Sequence, residues 1–460
     1  VLSSVSGEPP SLAHDPFAPL RVPVYRRYLG GNLLLLIGVQ MQLAAVHWEI
    51  FSRTQSNLGI AIGSLVQFAP VLLLSIPAGF LADRFSRPRI VRIAMLVMIA
   101  GSLLLVVASA RRWSLEWLFA GMLLNGMARA AQQPAKASLL PHLVPRRLFP
   151  AAVTWNSGAF QVAAVTGPLF AATVIAFASP AAAYFLEAVF AAIFLLSLWG
   201  FHEPPDRVRS TDTFSWSGLA SGMRFVWKTR LILAAISLDL FAVLLGGAAA
   251  LLPAYAQTIL PLAQELGWVR SWGVLFGYEE LDPQAIGFGA LRAAPAIGAA
   301  VMSLWLALRP PMTRAGRTLL WSVAGFGVAT IVFGFSRSFW LSFAMLFLTG
   351  LLDTVSVVVR HTLVQLRTPD EMRGRVQAIN GVFIGASNEL GGFESGAVAH
   401  LFARPNDPSF GPTVSVVSGG IGTLIIVALT AWLSPALRRY DLLHEPGEEA
   451  DIALPAKAAK

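Results

Sequence analysis

The sequence predicts an all-α integral membrane protein of twelve membrane-crossing helices, arranged as two pseudo-symmetric six-helix bundles. Three observations predict this: an apolar, weakly charged composition, basic residues that alternate between successive connections, and an internal repeat. Of the 460 residues 55% are hydrophobic and only 13% are charged, against roughly 25% charged in ordinary globular domains. Mean hydropathy is +0.64. The net charge of +9 would suit nucleic acid if the basic residues formed one patch. They sit instead in short clusters between apolar runs of roughly 20 residues, the length that crosses a bilayer. No cysteine occurs, which excludes disulfides, thiolate metal sites and a thiol nucleophile.

The first element, residues 1–24, is a proline-containing tail without the basic start and apolar core of a secretory leader. Twelve apolar segments follow, centred near residues 40, 70, 100, 128, 163, 190, 243, 297, 325, 351, 387 and 423. We number them spans 1 to 12. They divide into an N-terminal bundle (25–201), a linker (202–230), a C-terminal bundle (231–435) and a tail (436–460). The tails and even-to-odd connections carry most of the arginines, among them Arg84, Arg87, Arg146, Arg147, Arg314 and Arg317. The opposite connections hold only Arg53, Arg111, Arg112, Arg270, Arg337 and Arg404. Basic residues remain on the side from which a chain inserts, so both termini are expected in the cytoplasm. The linker opens polar, "HEPPDRVRSTD", then places Trp216, Leu219, Met223, Val226 and Trp227 at helical spacing. That pattern fits a helix lying in the interface or one packed on the ends of the spans. The connection at 257–283 is long, aromatic and acidic, and reads as a small external cap.

A shift of 224 residues lays "GMARAAQQPAKASLL" (126–140) on "GLLDTVSVVVRHTLV" (350–364). Gly126 meets Gly350 and Lys136 meets Arg360, and the register continues through Pro145 with Pro369, Asn156 with Asn380 and Gly167 with Gly391. Spans 4 and 5 are therefore repeated as spans 10 and 11. A direct repeat of six-span units predicts two bundles related by an axis along the membrane normal, with substrate bound between them.

The connection after span 2 reads "GFLADRFSRPR" (79–89). With twelve spans and a duplication, it resembles the signature loop of the major facilitator superfamily through Gly79, Asp83, Arg84 and Arg87, with Ser86 where a glycine is usual and Pro88 where a second basic residue is usual. The resemblance implies a conformational gate. Asp83 would meet the N-terminus of span 11, where unpaired N–H groups and Arg373 or Arg375 offer positive charge. That contact would favour the outward-open state by about 1–3 kcal/mol. The stretches "LVQFAPVLLLSIPAGFLADR", "ISLDLFAVLLGGAAALLPAYA" and "LVQLRTPDEMRGRVQAINGVFIGASNELGGFESG" are similar to the branch of the superfamily that contains the enterobactin exporter. This implies efflux of a small amphipathic compound such as a siderophore or drug.

Charges within spans are the informative residues, since each is expensive against lipid. Span 4 carries Asn125, Arg129, Gln132, Gln133 and Lys136 within about a 100° arc, and span 10 answers with Thr349, Asp353, Ser356 and Arg360. The superfamily resemblance puts spans 1, 4, 7 and 10 around the cavity, with Gln40 on span 1. An ion pair of Arg292 with Asp239 or Asp353 is expected, as is the neighbouring charge of Arg360 holding Asp353 ionised. His47 and Glu49 read as interface residues and Glu187 as part of a peripheral helix. Gly381, Gly385, Gly392 and Gly396 form one stripe for close helix packing on span 11, bordered by Asn388 and Glu389. A proton-coupling acid has to be reachable from the cavity near mid-membrane; Glu389 is the first candidate, Asp239 the second and Asp353 the third.

The function expected is proton-driven export by alternating access in a bacterial inner membrane, by a monomer needing substrate, protons and lipid but no cofactor, metal or nucleic acid. Import or facilitation of a small solute is the alternative within transport. The absence of a phosphate-binding Gly-Lys-Ser/Thr loop favours a gradient over nucleotide as the driving force, and an enzyme or lipid-handling protein is the remote alternative, an enzyme because H-E-x-x-H and G-x-S-x-G are missing.

Overall fold

The computed structural model describes residues 15–199, 201, 216–269, 271, 282–309 and 314–440; within them the side chains of 75, 76, 78–84, 216–220, 370, 371, 373–375, 378, 382, 386 and 389 are outside the description. The spans are Pro23–Thr54, Asn57–Arg84, Arg87–Ala110, Leu115–Leu139, Phe149–Phe177 and Pro180–Ser197 in the first bundle. In the second they are Arg230–Ile259, Pro283–Ala307, Ala315–Phe335, Phe339–Arg367, Asp370–Leu401 and Phe410–Leu433. Ten of these helices are long and apolar enough to cross a membrane among the described residues. The other two, spans 4 and 11, are long enough at 25 and 32 residues but too polar by composition. Span 4 carries the polar stripe from Asn125 to Lys136, and span 11 carries Asn388 and Glu389.

Local chemistry sets where the helices begin. Proline stands in the first turn of spans 1, 3, 5, 6 and 8, where its missing N–H costs no hydrogen bond. Asp282 caps span 8 by accepting from Gln284 N at 2.9 Å, and Ser179 caps span 6 by accepting from Ala182 N at 3.3 Å. Span 1 ends where Gln55 turns left-handed at φ 51° and its N–H returns to Phe51 O. Span 10 has no cap of its own at Ser338. Glu265, from the short helix Leu262–Glu265, supplies it, accepting from Phe339 N at 2.8 Å and Ser338 Oγ at 3.1 Å. This is the described part of the expected external cap; residues 272–281 lie outside the description. Glu265→Ala is expected to cost about 1 kcal/mol, read as a lowered midpoint of thermal unfolding. An unchanged midpoint would show that water replaces the carboxylate.

Packing repeats between the halves. In the first bundle span 1 contacts 5 and 6, span 2 contacts 4, and span 3 contacts 4 and 6. In the second, span 7 contacts 11 and 12, span 8 contacts 10, and span 9 contacts 10 and 12, the same set advanced by six. The repeat explains the closest crossings: a Cβ on Gly126 would lie 3.2 Å from Pro70 of span 2 and 2.6 Å from Gln67 O, and its partner Gly350 would meet Pro295 of span 8. Backbones approach this closely only where no side chain intervenes. Between halves, span 5 contacts 8 and span 2 contacts 11, a pair that the same symmetry exchanges.

The two ends of the molecule differ. At the end opposite the arginine clusters one core runs through both halves, from Met41, Ala45 and Trp48 to Leu251, Tyr255 and Phe288. Trp48 and Phe288 rings lie 5.2 Å apart, and Gln257 Nε2 donates to Ser52 Oγ at 2.8 Å. At the basic end the halves have separate cores, one around Tyr28, Met95 and Phe194 and one around Ile236, Leu319 and Val359. The glycine stripe of span 11 is accordingly divided. Cβ atoms on Gly392 and Gly396 would fall 2.9 Å from Ser64 Oγ and 2.8 Å from Asn57 O, whereas those on Gly381 and Gly385 would meet nothing within 4 Å among the described residues. The expected single packing stripe is thus packed only in its half away from the basic end. The linker helix, Trp216–Lys228, buries Val226 in the second core while Trp227 stays 64% exposed. It packs on the ends of the spans with one face and leaves the other free; residues 202–215 lie outside the description.

Candidate transport site

Between the bundles, closed off by the shared core, lies a cavity of about 320 Å³. Spans 7 to 11 supply most of its wall, with Leu43 and His47 of span 1 and Ser64 of span 2. The apolar surface comes from Val243, Phe326, Phe333 and Leu346, and the polar atoms from His47, Arg292, Thr349, Asp353 and Asn388. Arg292 reaches Ala249 O at 3.4 Å. Asp353 forms no hydrogen bond or ion pair among the described residues. His47 is 7% exposed, and neither ring nitrogen has a hydrogen-bond partner. Sequence reading took it for an interface residue. It stands one turn beyond Leu43, the other span 1 residue on the cavity wall.

A smaller cavity beside the first is lined by Asp239, Ser322, Asp353 and Ser356. Asp353 faces both, so it stands between the main space and the interior of the second bundle. The expected ion pairs of Arg292 are not formed with either acid among the described residues. Asp239 pairs with Arg360, and both are buried, at 6% and 1% exposure. Arg360 therefore clamps span 10 to span 7 and does not neutralise Asp353. One turn along a helix separates residues by about 5.4 Å, so a neighbour seven positions away on the same helix is a poorer partner than an acid directly opposite.

The first bundle repeats this clamp with other chemistry. Lys136 Nζ donates to Asn32 Oδ1, joining span 4 to span 1, and lies 5.2 Å from the centroid of the Phe194 ring. Asn32 Nδ2 donates to Asn156 Oδ1 of span 5 at 2.9 Å. Lys136 and Arg360 are equivalent in the repeat, so the repeat conserves a cation joining the first and fourth helix of each bundle.

No residue of the polar stripe of span 4, expected on the cavity wall, is among those that line this cavity. Asn125 and Gln132 are buried, at 1% and 5% exposure, and Asn125 packs by Gly101 of span 3. Arg129 is half-buried and Gln133 exposed. Gln40 packs under Gly167 of span 5. Ser356 is buried without a partner for its Oγ. Arg87 Nη1 donates to Ser138 O at 2.7 Å and lies 2.6 Å from His142 Nε2, which ties the signature loop to the end of span 4 in the same bundle. The helix of span 2 continues through Gly79, Asp83 and Arg84, but the side chains of Asp83, Arg84, Arg373, Arg375 and Glu389 lie outside the description.

Two acids of the first bundle are more deeply placed than their sequence suggests. Glu49 accepts from Tyr184 Oη at 2.7 Å and Ser109 Oγ at 2.8 Å and pairs with Arg53. It is the centre of a network joining spans 1, 3 and 6. Glu187 is 1% exposed, so its helix does not present it to the periphery. Ser102 Oγ lies 2.9 Å from Glu187 Oε2 and 2.8 Å from Met98 O. A hydroxyl has one hydrogen, so both contacts are hydrogen bonds only when Glu187 itself holds a proton.

Comparison with known proteins follows the same lines. Residues 14–407 match the family model described as transmembrane secretion effector. The enterobactin exporter EntS of Citrobacter koseri is 26% identical over 427 residues, covering 91% of this chain and 93% of its own. The multidrug efflux pump Tap of Mycobacterium tuberculosis is 25% identical over 458 residues, covering 94% and 97%. Among solved structures, a bacterial homologue of the human lysosomal transporter Spinster, inward-facing and occupied, superposes with a TM-score of 0.69 at 16% identity over 93% of this chain and 99% of that one. The peptide transporter POT in complex with alafosfalin gives 0.68 at 14% identity over 90% and 95%.

Proposed function

Because the chain belongs to the transmembrane secretion effector family of major facilitator transporters, we propose that it is a proton-driven exporter of a small amphipathic compound bearing an anionic or polyhydroxylated group. The cavity carries this reading: it sets the Arg292 guanidinium, the unpartnered His47 ring and the Asp353 carboxyl in one space walled by Phe326, Phe333 and Leu346. A guanidinium in a dry site is a forked donor for acidic or hydroxyl-rich ligands, and the aromatic wall takes an apolar body. EntS and Tap are named as an exporter and an efflux pump, which supports the outward direction and the siderophore and drug classes. The alternating loop charges support both termini on the cytoplasmic side of a bacterial inner membrane.

Export against a gradient needs an acid that gains and loses a proton as its surroundings change. Asp353 fits, because it faces the cavity and forms no ion pair among the described residues, while Asp239 is held by Arg360. Glu389, next to the cavity residue Asn388, is the second candidate. In inverted vesicles, a catecholate siderophore or an amphipathic drug should release protons on addition. Asp353→Asn should retain ligand binding and abolish that release, with Glu389→Gln as the parallel variant. Proton release at the wild-type level in both variants would sink the assignment. Uptake that equilibrates without a pH gradient would make the protein a facilitator.

A further inference from the structure

At the basic end, away from the transport cavity, Arg314, Arg317, Arg438, Arg439 and Tyr440 enclose a pocket of about 320 Å³. The start of span 9 and the short helix Pro435–Arg439 form it, and they are braced together. Gly316 N donates to Tyr440 O at 3.1 Å, and Gly316 has no side chain where Leu437 O comes against it. Tyr440 is buried beneath the Arg367 guanidinium, 5.1 Å from its ring centroid. The four arginines of the pocket are exposed, and none has a carboxylate or hydrogen-bond partner for its side chain among the described residues. Four like charges around one space, with the positive end of span 9 behind them, have no acid opposite them among the described residues.

The pocket continues through Arg314 and Arg317 into a groove lined by Thr318, Trp321, Ser322 and Leu352. Trp321 and Trp432 are 77% and 75% exposed, as expected of tryptophans in the belt where headgroups meet acyl chains. An anion held by the arginines would therefore have an apolar body lying along a lipid-facing groove. The geometry points to a binding site for the phosphate of an anionic phospholipid headgroup, gripped by the guanidinium forks of Arg314, Arg317, Arg438 and Arg439, with its chains along Trp321. Basic pockets between spans at this level suit acidic headgroups, and the fork of arginine matches two phosphate oxygens at once.

The test uses the full chain in nanodiscs of phosphatidylcholine with a minority of phosphatidylglycerol, with retained lipid counted by native mass spectrometry. Wild type should retain phosphatidylglycerol preferentially. Arg438→Gln/Arg439→Gln should lower that retention by on the order of tenfold, while Arg146→Gln/Arg147→Gln, equally exposed at the same end, should leave it unchanged. Equal loss in both double variants would reduce the effect to general surface charge and overturn the site. Displacement of the lipid by millimolar inorganic phosphate would make the ligand free phosphate instead. Retention that appears only after Glu448→Gln/Glu449→Gln would show that the acidic tail, which follows Tyr440 in sequence, is the occupant.

Discussion

Asp239→Ala is expected to destabilise the protein by about 3–5 kcal/mol, because it leaves the Arg360 guanidinium charged inside the second bundle with no acid opposite it. Both partners are almost fully buried, and their pairing joins span 7 to span 10. Asp239→Asn/Arg360→Gln, which removes both charges, should recover most of the loss, since the cost lies in the uncompensated charge and not in the absence of the pair. Lys136→Gln in the first bundle should cost less, about 1 kcal/mol, because its partner Asn32 is neutral and remains bonded to Asn156. Thermal unfolding in detergent, followed by tryptophan fluorescence, measures all three. A loss under about 1 kcal/mol for Asp239→Ala would place the pair with ordinary surface salt bridges.

Gly289→Leu and Gly385→Leu should both stop transport while trapping opposite conformations. Gly289 of span 8 sits against Ala172, with Pro168 O only 2.8 Å from where its Cβ would be. A larger side chain there pushes apart the end at which the halves share a core. A Cβ on Gly385 would meet nothing within 4 Å among the described residues, so Leu is expected to fit the conformation described but to obstruct any approach of the halves at the basic end. Overpacking of this kind costs about 1–3 kcal/mol, which moves a two-state population by roughly fivefold to a hundredfold. The chain has no native cysteine, so Ser64→Cys, on the cavity wall, is a clean reporter. Labelling by an impermeant maleimide from the face opposite the arginine clusters should rise with Gly289→Leu and fall with Gly385→Leu. Equal labelling of the two variants would mean that these glycines serve packing alone.

Glycine positions show how far sequence could be read. The stripe at 381, 385, 392 and 396 was legible as a packing face, because spacing on a helix fixes which residues share a side. Its division into a packed half and an open half depends on how the bundles are tilted, and no local pattern encodes that. The same limit applies to charge. Asp239, Asp353, Arg292 and Arg360 stand out as costly residues inside spans, but Asp239 and Arg360, which pair, lie on different helices and far apart in sequence. Helix rotation, not sequence distance, brought Arg360 to Asp239 and left Asp353 facing the cavity. The burial of His47 and Glu187 shows the same limit: a single polar residue on an apolar helix looks alike whether it faces lipid, a neighbouring helix or a cavity.

The number of spans, their centres, the six-span repeat and the contrast in charge between the two ends are legible along the chain, because hydrophobic run length and basic residues act locally on insertion. Tertiary structure alone decided which polar side chains meet. The spans pack as rigid cylinders whose rotation and tilt follow from contacts spread over both bundles, such as Gly126 on Pro70 and Gly350 on Pro295. A few degrees of rotation exchange a buried pair for a cavity-lining group, and those degrees are fixed by the sum of distant contacts.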